Sequence, residues 1–219
     1  VSALAFVDVD VQVDFCEEGG SLLVPGSPNA LYRALTGLAR ARGVPIFGSV
    51  DSHAFDAWEF ASNAVEPPGG GPKPNFPDHC VKGTRGWLKI EGTLPQRHRF
   101  VPNVPLADAA VARLADEVLR GDVQGLYFEK EVYSLFANPN AEALLAAFVA
   151  ARPTRFVVYG VATDYCVKAA ALGLRERGYD VVVLTDAIAG ITEAGVRGAL
   201  AALADAGCAL ATSAELGLS

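Results

Sequence analysis

The sequence predicts an α/β fold: a three-layer α/β/α sandwich around a mostly parallel, Rossmann-like doubly wound sheet. Short apolar runs rich in β-branched residues recur along the chain, as strands buried on both faces require, and stretches with helix start and stop signals separate them. The length, 219 residues, suits one α/β domain with a full core, so residues 1–219 are read as a single domain.

Residues 3–9 (Ala-Leu-Ala-Phe-Val-Asp-Val) form the first predicted strand. Pro28, after Ser27, has the fixed φ that suits a first helical turn, and Gly43 stops that helix. A second strand follows at 44–50. From Pro67 to Pro77 eight of eleven residues are Pro or Gly, which excludes helix and central strand and predicts an irregular surface loop at 67–77. Residues 92–104 contain prolines and no clear period, and they carry no assignment. Further strands are predicted at 125–129, 155–161 and 180–184. Asn138-Pro139 opens a helix, Gly178 ends the next, and Thr192 and Gly207 bracket the last.

Composition excludes several functions. Eighteen basic against twenty-five acidic residues give a net charge of −7, with no extended Lys/Arg block, so nucleic acid is not an expected partner. No uncharged apolar run reaches the roughly 18 residues of a membrane span. The opening residues lack a basic, cleavable signal, so a cytoplasmic protein is expected. Cys16, Cys80, Cys166 and Cys208 are widely spaced, without Cys-x-x-Cys pairs, which argues against a zinc knuckle or a disulfide framework. A homo-oligomer is left open.

In a parallel sheet ligands bind beyond the carboxyl ends of the strands, so chemistry should follow residues 10, 50, 129 and 161. Gly160 to Val167 runs from a strand into a strong helix former and places Cys166 in the first helical turn, where unpaired amides and the helix dipole favour a thiolate. A small buried hydrophobe at a strand–helix junction is an equal reading of that segment alone. Asp8 and Asp10 lie two apart on one strand and so point to one face, with Asp10 nearer the carboxyl end. Lys130 also follows a strand, where a solvated lysine is the default. Asp51 and His53 leave the second strand and can converge on one ion with His79, which hangs from the Pro/Gly-rich loop. His98, between Arg97 and Arg99, reads as an exposed residue.

Three separated segments carry a family resemblance. Residues 160–168 (Gly-Val-Ala-Thr-Asp-Tyr-Cys-Val-Lys) resemble the nucleophile motif of the nicotinamidase/isochorismatase-like cysteine hydrolases. Asp10-Val11-Gln12-Val13-Asp14-Phe15-Cys16 with Gly19-Gly20-Ser21-Leu22 is similar to the family's opening motif, and Phe76 to Thr84 to its metal-binding segment. The resemblance implies Asp10 as general base, Lys130 and Cys166 as its catalytic partners, and an oxyanion hole from the amides of Ala162 and Cys166 beside a cis Val161–Ala162 peptide. It also aligns Glu59 with a further metal-ligand position, so that Asp51, His53, Glu59 and His79 would hold a divalent Zn, Fe or Mn ion. Phe15 and Phe76 become candidate walls around a substrate ring. Lys130 to Phe136 matches the family's lysine segment with a shorter spacing, and Asp8 stands where the family has an apolar residue. The implied activity is hydrolysis of a small-molecule amide, nicotinamide and its analogue pyrazinamide, to the acid and ammonia. The alternatives are another amidase of the family, acting on a ureido, carbamoyl or maleamate-type substrate, and a non-catalytic binding protein on the same fold.

Overall fold

The computed structural model describes residues 3–63, 66 and 75–218. Seven strands, β1 (Ala3–Val9), β2 (Ile46–Asp51), β3 (His98–Val101), β4 (Gly125–Lys130), β5 (Thr154–Val161), β6 (Asp180–Ala189) and β7 (Ala209–Ala211), form one sheet in the order β3-β4-β2-β1-β5-β6-β7. Every pairing is parallel, as the alternation of strands and helices predicts. The helices are α1 (Val13–Cys16), α2 (Asn29–Arg42), α3 (Asp108–Leu119), α4 (Ala141–Ala151), α5 (Lys168–Glu176) and α6 (Glu193–Asp205), with a 3-10 turn at Leu135–Ala137 and a π-helical turn at Thr163–Val167.

The period of two along β1 divides the core. Ala5, Val7 and Val9 pack with Phe47, Phe128 and residues of α3, α4 and α5 on one face, while Phe6 packs with Tyr32, Leu35 and Ala39 of α2 on the other. Helix ends follow the chemistry of their residues: Gly43, at φ 65°, closes α2, and the Thr192 hydroxyl accepts the Gly195 N–H to open α6.

Several expectations change. The unassigned stretch 92–104 contains β3, paired in parallel with β4 from His98↔Gly125 to Val101↔Phe128. His98 is half-buried, not simply exposed, and its Nδ1 lies 2.6 Å from the Pro95 carbonyl. β6 continues to Ala189, past the predicted end at 184, and α3 and β7 had not been assigned. Of the predicted loop at 67–77, residues 67–74 lie outside the described residues, and Phe76 bridges Phe60. Among the described residues no helix is long and apolar enough to cross a membrane.

Candidate active site

The carboxyl ends of β1, β2, β4 and β5 bring the candidate residues together, because these four strands are neighbours at the centre of the sheet. Asp10 follows β1 with a left-handed backbone, φ 48°, and its Oδ1 accepts the Ser49 hydroxyl at 2.8 Å. Lys130 ends β4, and its Nζ lies 2.8 Å from Asp10 Oδ2 and 3.6 Å from Cys166 Sγ, and it also donates to Asp51 Oδ1. Cys166 sits in the π-helical turn ahead of α5. All three side chains are buried. The approach of β5 to β1 requires Gly160: at φ 122°, an added Cβ would lie 2.1 Å from the Val9 carbonyl oxygen. The Val161–Ala162 peptide is cis, as the resemblance implies.

Burial and neighbouring charges shift the pKa values of all three groups. Burial pushes the Cys166 thiol well above its ordinary range; Lys130 works against this, and Asp10 and Asp51 reinforce it. Burial thus works against the thiolate that a helical turn would favour. Burial also raises Asp10 despite Lys130, with Asp51 adding to the rise. A carboxylate raised toward a thiol is the better proton acceptor for it. Burial disfavours the Lys130 cation, but Asp10, Asp51 and Cys166 outweigh that cost and hold it charged.

Beside Lys130 lies a second group of donors. Glu59 Oε1 is 3.0 Å from His53 Nε2 and 3.3 Å from His79 Nε2, and Asp51 Oδ2 lies 3.8 and 3.9 Å from the same two nitrogens. The ligand atoms of Asp51, His53 and His79 all fall within 4.8 Å of one another. His79 Nδ1 is 2.8 Å from the Pro77 carbonyl, a contact in which it donates and which turns Nε2 toward the carboxylates. His53 Nε2 is buried with no directed hydrogen bond in the structure. A buried imidazole nitrogen left over, facing a second nitrogen and two carboxylates, fits a divalent metal ion. Burial opposes a charged His53, yet Asp51 and Glu59 outweigh it and carry its pKa up to about 9, so the pocket favours positive charge.

Backbone pairing fixes how His79 reaches this cluster. His53 N–H donates to the Cys80 carbonyl and Lys82 N–H to the His53 carbonyl, joining the two loops as an isolated parallel bridge. Cys80, at φ 47°, and Asp10 are the non-glycine residues with positive φ among the described residues, and both adjoin the site. Asp14 accepts the Cys80 and Ser21 N–H groups and so ties the His79 segment to the opening segment.

A narrow cavity opens over both clusters. Phe15 and Phe76 line it, as do Asp51, Glu59, His79, Ala162 and Cys166. Tyr133, Tyr165, Leu22, Val24 and Ile191 complete its walls. Sequence reading missed those five as wall residues, although Tyr133, Tyr165 and Leu22 fall inside the family-like motifs. It also missed the partner of Asp8: Lys89 Nζ reaches Asp8 Oδ1 at 2.5 Å, both buried, with Lys89 over the Tyr127 ring. Asp8 and Asp10 thus belong to different lysines, because Asp10 has already turned out of the strand.

The sequence matches the isochorismatase domain over residues 4–215. It is 32% identical over 198 residues to a nicotinamidase of Escherichia coli, covering 85% of this chain and 83% of the relative. The fold is similar to PnC1 of L. infantum, solved in complex with nicotinate, with a TM-score of 0.70 at 26% identity over 97% of this chain and 94% of that one. It is also similar to a pyrazinamidase of Pyrococcus horikoshii solved with zinc, with a TM-score of 0.66 at 25% identity over 95% and 98% of the two chains. Together with the geometry at the strand ends, these matches place the chain in the isochorismatase family.

Proposed function

We propose that the protein is a metal-assisted cysteine amidohydrolase that converts nicotinamide, and pyrazinamide, to the carboxylic acid and ammonia. One observation carries the mechanism: a single buried lysine touches the base, the thiol and an aspartate of the metal-type cluster under one cavity. The similar nicotinamidase and the nicotinate-bound neighbour support the substrate.

Asp10 takes the Cys166 proton while Lys130 holds the charges of both groups in place. The sulfur attacks the amide carbon, and the backbone N–H groups of Ala162 and Cys166 receive the oxyanion. As the C–N bond breaks, Asp10 returns the proton to the leaving nitrogen and ammonia departs. Asp10 then deprotonates water, which opens the thioester and restores the thiol. Asp51, His53, Glu59 and His79 would hold a Zn, Fe or Mn ion, and a bound ion supplies a Lewis-acid site for the ring nitrogen that orients the amide. Phe15 and Phe76 flank the ring. The four unpaired cysteines suit a reducing cytosol.

The test is ammonia release from nicotinamide by the purified protein, with metal analysis alongside. Turnover with a bound divalent ion supports the reading. Turnover only on ureido, carbamoyl or maleamate-type amides, without metal, assigns the chain to a different amidase of the family.

A further inference from the structure

Gln12 occupies an unusual place next to the site. The β1–β2 ladder ends at Val9↔Ser49, after which Asp10 turns away in its left-handed conformation. β2 continues to Asp51, which pairs with Lys130 on its other side. The edge of Asp51 facing β1 thus lacks a strand, although the residue is buried. The fully buried side chain of Gln12 fills the gap: Asp51 N–H donates to Gln12 Oε1 at 2.8 Å, and Gln12 Nε2 donates to the Asp51 carbonyl at 2.9 Å. The same nitrogen donates to the Trp87 carbonyl at 2.9 Å. Gln12 is itself held by its bridge to Lys89 and by flanking backbone bonds, Val13 N–H to the Leu88 carbonyl and Ile90 N–H to the Val11 carbonyl. A side-chain amide therefore acts as one more rung of the sheet, and that rung grips the residue whose two carboxylate oxygens face Lys130 and the histidine pair.

We propose that Gln12 is a positioning residue: its amide clamps the backbone of Asp51, so that one carboxylate faces Lys130 and the metal ligands together. This rests on reading Asp51 as a metal ligand. Without the clamp, the end of β2 keeps only its β4 neighbour, and the Asp51 carboxylate loses its fixed direction. Supporting groups of this kind typically change metal affinity by about 10- to 100-fold.

The experiment uses the full chain stripped of metal and measures zinc affinity by chelator competition, together with the thermal midpoint. Gln12→Met keeps length and volume and removes all three bonds. Leu114→Ala in α3, which does not line the cavity, is the control for lost stability. The expected result is zinc affinity about 10- to 100-fold weaker in Gln12→Met, with Leu114→Ala binding zinc as the wild type does despite a lowered midpoint. Should Gln12→Met not fold, Gln12→Glu carries the same test, since it keeps an acceptor for the Asp51 N–H and loses both donated bonds. Wild-type zinc affinity in the folded Gln12 variant, or an equal loss in Leu114→Ala, overturns the proposal. A wild-type protein that binds no zinc, with His53→Ala identical to it, instead overturns the metal site itself.

Discussion

Replacing Lys130 by methionine removes the one cation that the buried Asp10 and Asp51 share. The ligand atoms of those two carboxylates and of Cys166 lie within 4.8 Å of one another. Lys130 Nζ lies 2.8 Å from Asp10 Oδ2, and at an effective dielectric constant of about 20 that attraction is about 6 kcal/mol; with half of it recovered by relaxation, its loss raises Asp10 by about two pK units. Asp10 is already raised by burial with Lys130 present, so in Lys130→Met it rises further and a larger fraction of the enzyme carries the proton that Asp10 must be without to accept one from Cys166. Ammonia release at neutral pH should then fall by about 10²- to 10⁴-fold, the contribution of a positioned proton acceptor, and the acidic limb of the pH–rate profile should move up by about two units. Stability has the same sign. A carboxyl raised above its unfolded pKa stabilises the fold below that unfolded value, and the contribution is lost as pH rises through the folded pKa. The thermal midpoint of Lys130→Met should therefore drop further below wild type in mildly alkaline than in mildly acidic buffer. Wild-type turnover with an unmoved acidic limb would refute the role given to Lys130.

Cys166→Ala should abolish ammonia release, whereas Cys16→Ala, Cys80→Ala and Cys208→Ala retain most of it, since none of these three sulfurs lines the cavity. Asp10→Asn should lose turnover by roughly 10²- to 10⁴-fold and remain folded. Asp8→Asn should instead leave the chemistry and lower stability in denaturant by about 3–5 kcal/mol, the usual cost of stranding one partner of a buried ion pair. His53→Ala and His79→Ala should purify without bound metal and fail on nicotinamide while Cys166 still reacts with a small alkylating reagent; His98→Ala should match the wild type in metal content.

The legible part of the fold was the part written in local pattern. Short apolar runs marked β1, β2, β4, β5 and the first half of β6, because strands covered on both faces are built mostly of apolar residues. Gly43 and Thr192 marked helix ends because their effect is confined to one turn. β3 and β7 have few residues and little apolar periodicity; they are strands because β4 and β6 offer them open edges. α3 carries a helical signal in its sequence, with Val111, Leu114, Ala115 and Val118 buried on one face.

The site divides along the same line. Residue types at strand ends, joined to three motif resemblances in order, were enough to single out Asp10, Lys130, Cys166, Asp51, His53, Glu59 and His79 as candidates, because their chemistry and place in the chain are properties of the sequence. What Lys130 touches was not, since β1, β2, β4 and β5 become neighbours only through the crossovers of the sheet. The burial of the Cys166 sulfur, the pairing of Asp8 with Lys89 and the grip of Gln12 on Asp51 were likewise decided by the tertiary structure. Burial and long-range hydrogen bonds join residues tens of positions apart, and local sequence carries no record of which of them meet.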